Sequence, residues 1–245
     1  MTSSSNAAVG QAMISLLSDP QVIASRALHV HGGKVTLNIE VVDLANVASI
    51  DRFTRTIIER HRGEIDFIVN SMGLMLPSYD FNSAEATLNH DVVGSLAIST
   101  SFNPYMRPGT GHIILPSHPT DTFKYFPPTC ASLFLNSKTS QDVLAIMDAF
   151  TSSAQRGVVI DEGWVANSYA MGQAATSVLA HVLTLENESQ GNKAMFSAAA
   201  MTPIHGMPTT GTPAEAMAQM PVWLVLKGCG GRSGGLWESG IATFR

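Results

Sequence analysis

The sequence predicts an α/β fold built on a parallel sheet with helices on both faces. Three observations point to it. Runs rich in β-branched residues alternate with amphipathic segments long enough to serve as crossover helices. Two of those runs, residues 65–70 (IDFIVN) and 112–115 (HIIL), are almost continuously apolar, as strands buried on both faces are. The chain has 245 residues, 45% hydrophobic and 13% charged, which suits one large domain with its own core.

The elements follow in order. Residues 9–17 (VGQAMISLL) carry apolar side chains at helical spacing, with Asn6 as a candidate N-cap and Asp19-Pro20 as a stop. Residues 21–25 and 35–44 read as strands. An amphipathic helix covers 48–61, opened by Ser49 and closed before Gly63, and the strand at 65–70 follows. A helix over 83–102 leads through a turn with Pro104, Pro108, Gly109 and Gly111 into the strand at 112–115. Residues 116–163 are poorer in strand signal and read as an insertion of loop and helix, with 140–151 helical. A long helix over 165–186, a strand over 194–200 and a final helix over 213–226 complete the pattern. The glycine-rich stretch 228–235 has no Lys-Ser or Lys-Thr after it and reads as a terminal loop.

Composition excludes several function classes. Nineteen acidic against fourteen basic residues, a net charge of -5 and no basic cluster argue against nucleic acid as a partner. Cys130 and Cys229 are far apart and form no C-x-x-C pair, so neither a disulfide framework nor a zinc ribbon is expected. No apolar run approaches the roughly 18 residues of a bilayer span, and residues 1–20 lack the basic flank of a secretory signal. The expectation is a cytoplasmic chain with no membrane partner. The pair His29 and His31 has no nearby carboxylate to complete a ligand set, so no metal is expected. Several of the twelve methionines flank the expected cleft, where flexible thioethers suit either core filling or an adaptable apolar pocket.

The segments in this order resemble the short-chain dehydrogenase/reductase family, and within it the carbonyl-reductase branch. Residues 68–73 (Ile-Val-Asn-Ser-Met-Gly), with Asn70 and Gly73, look like the family's N-N-A-G strand end. Asp43 resembles the acidic residue that contacts adenine, and Arg26 the basic one that selects a 2'-phosphate. Glu162-Gly163-Trp164 followed by Tyr169 looks like the stretch leading to the catalytic tyrosine, and 234–237 like the closing segment. The resemblance covers nearly the whole chain and implies one doubly wound, Rossmann-like domain over 1–245 with the insertion at 116–163. In the family that insertion leaves monomers.

The same comparison exposes departures. Tyr169 keeps the tyrosine of Y-x-x-x-K, but Gln173 stands at the lysine. His118 falls at the serine position with Ser117 one step before it, and Asp91 falls at the asparagine. The glycine-rich cofactor loop would lie across 3–10 with only Gly10 kept, opened by serines and containing Asn6. Only Met1 and Thr2 precede it, so the first strand is expected to be missing. The stretch between Ser25 and Val35 is too short for the usual second crossover. Another chain completing the sheet is one way to close it.

Tyr169 and Gln173 are i and i+4 on one helix. In the family the lysine at that spacing holds the ribose and depresses the tyrosine pKa. A unit charge about 4 Å away is worth on the order of 4 kcal/mol at an effective dielectric near 20. Gln173 supplies hydrogen bonds without the charge, so Tyr169 is expected to titrate near its ordinary value of about 10, a proton donor and a poor base. His118, after a strand end, can exchange protons near neutral pH, and Asp91 could orient it. Each has a plainer reading: a buried helix tyrosine, a loop histidine, a helix-surface carboxylate and, for Ser117, a strand-end turn.

Three functions follow. The first is a non-redox acid/base enzyme, an isomerase, cyclase or dehydratase acting on an apolar small molecule without a cofactor, through Tyr169, His118 and Asp91. The second is an NADPH-dependent carbonyl reductase with an atypical site. The third is a non-catalytic binding or scaffold protein.

Overall fold

The structure, a computed structural model, describes residues 2–4, 38–61, 65–71, 73–76, 78–117, 120–189, 194–204, 213–228 and 230–242. The helix expected over 9–17, the strand over 21–25 and the shortened crossover lie outside the described residues, as do Asn6, Gly10, Arg26 and His118.

Five strands form the main sheet in the order β3 (Phe67–Val69), β4 (His112–Ser117), β5 (Met195–Ala200), β6 (Gly235–Glu238) and β7 (Ile241–Ala242). All pairs are parallel except the β6–β7 hairpin. A separate parallel pair joins β1 (Thr2–Ser4) to β2 (Ile39–Val41). Ser3 and Ser4, expected to open a cofactor loop behind a missing strand, are therefore themselves strand. Among the described residues nothing pairs with the outer edge of β3, and Phe67 and Val69 are exposed there.

The sheet is covered on both faces. Along β4, Ile113 and Leu115 join one core with Phe196, Ala198 and Leu236, while Ile114 joins a second with Ala199 and Trp237. This is the alternation that a period of two imposes on a strand. The first core takes helices α1 (Val47–His61), α3 (Gly94–Phe102), α5 (Ser140–Arg156) and α6 (Ser168–Ser189). The second takes α7 (Pro213–Lys227), through Met220 and Leu224. A doubly wound α/β fold is what the structure shows.

Several boundaries differ from expectation for local reasons. The helix expected over 83–102 is two helices, α2 (Phe81–Thr87) and α3, joined by a π-turn at Leu88–Val93. Asp80 caps α2, accepting the Ser83 N–H at 2.8 Å. The strand expected over 35–44 stops at Val41, because Asp43 and Asn46 turn the chain into α1: Asp43 accepts the Ala45 N–H at 3.0 Å and Asn46 the Ser49 N–H at 3.2 Å. The insertion holds α4 (Pro128–Leu135) as well as α5, which Thr139 and Asp142 open as a capping box and Gly157 closes at φ 72°. No helix among the described residues is long and apolar enough to cross a membrane.

Two contacts in this framework make predictions. A Cβ on Gly94 would stand 2.6 Å from the Leu44 carbonyl oxygen and 2.9 Å from its Cβ, so α3 approaches the chain after β2 only because that side chain is absent. Gly94→Ala is expected to cost about 1–3 kcal/mol, read by urea unfolding, and an unchanged midpoint would contradict the packing.

His112 is fully buried on β4, its Nε2 2.9 Å from Ser197 Oγ and its Nδ1 without a hydrogen-bond partner among the described residues. Burial pushes its pKa down to about 4 from 6.5, so the folded protein favours the neutral ring. The stability this contributes is complete above about pH 6.5 and is lost as pH falls towards 4. The loss approaches about 3 kcal/mol. His112→Asn should flatten the dependence of Tm on pH in that window, and an equally steep curve would contradict it.

Candidate active site

The chain leaving β3 runs as a strap across the first turn of α6. Three hydrogen bonds pin it: Leu74 N–H donates to Asp91, Tyr169 N–H donates to the Leu76 carbonyl at 3.0 Å, and Ser168 N–H donates to the Ser78 carbonyl at 3.1 Å. Asn167 accepts the Ala170 N–H at 3.0 Å and so starts α6 where Tyr169 meets the strap. The carboxyl end of β4 is tied to the same helix further along. There Thr176 Oγ1 donates to the Pro116 carbonyl at 2.9 Å, and Ser117 bonds Ser177. Tyr169, Asp91, Gly73 and Gln173 are thus gathered where the strands end, at the edge where open α/β sheets place their ligands.

Asp91 lies in the π-turn and is 1% exposed, not the surface carboxylate that a regular helix would have made it. Its carboxylate takes the Leu74 N–H at 3.0 Å on Oδ1 and 3.2 Å on Oδ2, and His90 Nδ1 at 2.7 Å. A π-turn adds a residue to the helical turn and re-aims the side chains around it. On the far side Asp91 abuts α6 at Gly172, where a Cβ would stand 3.2 Å from Oδ2 and 2.5 Å from Thr87 Cγ2.

Tyr169 is half-buried. Burial first, and the Asp91 charge second, hold its phenol above the ordinary value, which corrects the expectation of an unshifted tyrosine. Gln173 is 3% exposed and its Nε2 lies against Gly73, at 3.2 Å from where a Cβ would be. Its neutral amide brings no compensating charge.

The other expected residues fall as follows. Ser117 is buried, and its hydroxyl meets Ser177, which itself donates to the Gln173 carbonyl at 2.7 Å. It ties β4 to α6, in keeping with the plainer reading. Asn70 donates its amide to Ser95 Oγ at 2.8 Å and clamps β3 to α3. Asp43 is exposed at the end of β2. The sequence reading missed His90, Gly172 and the backbone groups of the strap. Only the adjacency of His90 to Asp91, and a glycine three residues after Tyr169, could have signalled them.

No known protein-family profile matches the chain. The NADPH carbonyl reductase 1 of Homo sapiens is 25% identical over 76% of this chain and 70% of its own length. Among solved structures, menthone neomenthol reductase from Mentha piperita superposes with a TM-score of 0.74 at 17% identity, over 96% of this chain and 88% of that one. The carbonyl reductase from chicken fatty liver, solved with NADPH bound, gives 0.57 at 15% identity, over 92% and 80%. In sheet order and in the placing of Tyr169 at the strand ends, the chain is similar to the carbonyl reductases among the short-chain dehydrogenases/reductases.

Proposed function

We propose that the protein reduces the carbonyl group of an apolar small molecule, with NADPH as reductant and Tyr169 as the proton donor. The observation that carries this reading is the setting of Tyr169, half-buried beside a carboxylate and one turn from a neutral glutamine. A phenol held protonated in this way gives up its proton only to a strong base. The alkoxide left when a carbonyl is reduced is such a base, far stronger than a phenolate, so transfer remains downhill. The reverse reaction needs the phenolate, which this setting disfavours.

Among the described residues Asp43, exposed after β2, would meet the adenine. At Gly73 the strap lies close on the Gln173 amide, whose Nε2 is 3.2 Å from where a Cβ would stand. NADPH would supply the hydride. Gln173, at the position of the ribose-holding lysine, offers no cation, so cofactor and tyrosine both forgo its charge. Exposed apolar side chains on the strap and on the chain after β4, Met75 at 77%, Tyr79, and Tyr125 at 82%, favour an apolar substrate.

In the non-redox reading His118, outside the described residues, is the proton acceptor and Asp91 assists it. The Asp91 carboxylate is buried and already bonded to Leu74 N–H and His90, which leaves it little to offer in that role. The test is loss of reduced-nicotinamide absorbance when the protein is offered bulky apolar ketones and aldehydes. Consumption matched by alcohol formation is expected. Conversion without consumption would favour the isomerase, cyclase or dehydratase reading, and no conversion the scaffold.

A further inference from the structure

His90 stands behind the site. Its Nδ1 lies 2.7 Å from Asp91 Oδ1, and an ionised carboxylate can only accept, so the ring donates from Nδ1. A carboxylate as deeply buried as Asp91 requires such donors. The same carboxylate touches both walls of the site. On one side it holds Leu74 N–H, the start of the strap whose next carbonyls, Leu76 and Ser78, receive Tyr169 and Ser168. On the other it packs on Gly172, three residues along α6 from Tyr169. One imidazole therefore backs the group on which strap and helix converge.

We propose that His90 is a positioning residue, which by holding Asp91 fixes the strap, residues 73–76 and 78, against α6 and so sets the place and the electrostatic surroundings of the Tyr169 hydroxyl. The proposal rests on Tyr169 being the proton donor. It makes His90 and Asp91 one unit. A neutral asparagine at 91 would accept the Leu74 N–H without a buried charge, and so would have no need of the imidazole.

A double-mutant cycle over His90→Phe and Asp91→Asn tests it, with two readouts. One is carbonyl reduction, separated into kcat and KM. The other is the absorbance of the Tyr169 phenolate, taken as the difference from Tyr169→Phe, which needs no turnover. His90→Phe is expected to lower kcat about 10–100-fold, to leave the KM for NADPH nearly unchanged and to move phenolate formation to higher pH. His90→Gln, which keeps an N–H donor, should recover most of both. In the Asp91→Asn background, loss of His90 should add less than about a twofold change. Independent multiplication of the two effects, or the same phenolate onset in folded His90→Phe and wild type, would overturn the proposal. If His90→Phe does not fold, His90→Ala and His90→Gln decide on phenolate onset: a shift in His90→Ala that His90→Gln reverses supports the unit, and coincidence of both with wild type overturns it. Coupling in the phenolate readout without any turnover would sink the reductase reading and leave this one standing. Turnover without coupling would do the opposite.

Discussion

Tyr169→Phe is expected to lower the proposed carbonyl reduction by about 10²–10⁴-fold while the protein stays folded. The hydroxyl is the only group removed, and the ring remains. The backbone bonds that seat the residue, Tyr169 N–H to the Leu76 carbonyl and Ser168 N–H to the Ser78 carbonyl, do not involve the side chain. Because the phenol is held above its ordinary value by burial and by Asp91, it is fully protonated at neutral pH. Deleting it therefore removes a donor and not a base, and the loss should be equal at pH 6 and pH 8. Steady-state rates at the two pH values, with circular dichroism of the variant, check this. Retained turnover in a folded variant would remove Tyr169 from the mechanism.

Gln173→Lys is expected to act in the opposite sense. A cation about 4 Å from the phenol at an effective dielectric near 20 is worth on the order of 4 kcal/mol, or about three pKa units. If a third of that is realised at the transition state, kcat/KM rises about tenfold. The strap lies close on the Gln173 amide at Gly73, so the longer lysine has to repack against it. Position 173 is nearly sealed from water, so the gain comes with lowered stability, on the order of 1–3 kcal/mol. The phenolate should form at lower pH and NADPH should bind more tightly. Rates, a phenolate titration and thermal melts together separate these effects. A variant whose phenolate appears at the wild-type pH would show that Gln173 does not address Tyr169.

The fold was legible where burial repeats with a period. The unbroken apolar runs of β4 and β5 report burial on both faces, and the helical spacing of α1 and α6 reports a face turned to the core. The candidate site was legible only where a side chain stands at a recognisable spacing, as Tyr169 and Gln173 do. Asp91 was found at its position but not in its state. Whether a carboxylate in a helix is wet or buried depends on the turn that carries it, and the π-turn at Leu88–Val93 leaves no mark in the order of residues. The strap was illegible for a different reason. Its bonds run through the N–H of Leu74 and the carbonyls of Leu76 and Ser78, backbone groups that do not depend on the side chain. Ser117 is a residue type suited to chemistry, and its hydroxyl joins β4 to α6.

The central claim is that a site without its lysine remains a reductase site. Titration with NADPH, followed by the fluorescence of Trp164, Trp223 and Trp237, tests it most directly. The account predicts saturable binding in the micromolar range, tightened in Gln173→Lys and weakened in Asp43→Ala. No saturation at millimolar NADPH, with the protein folded and Gln173→Lys equally silent, would contradict it.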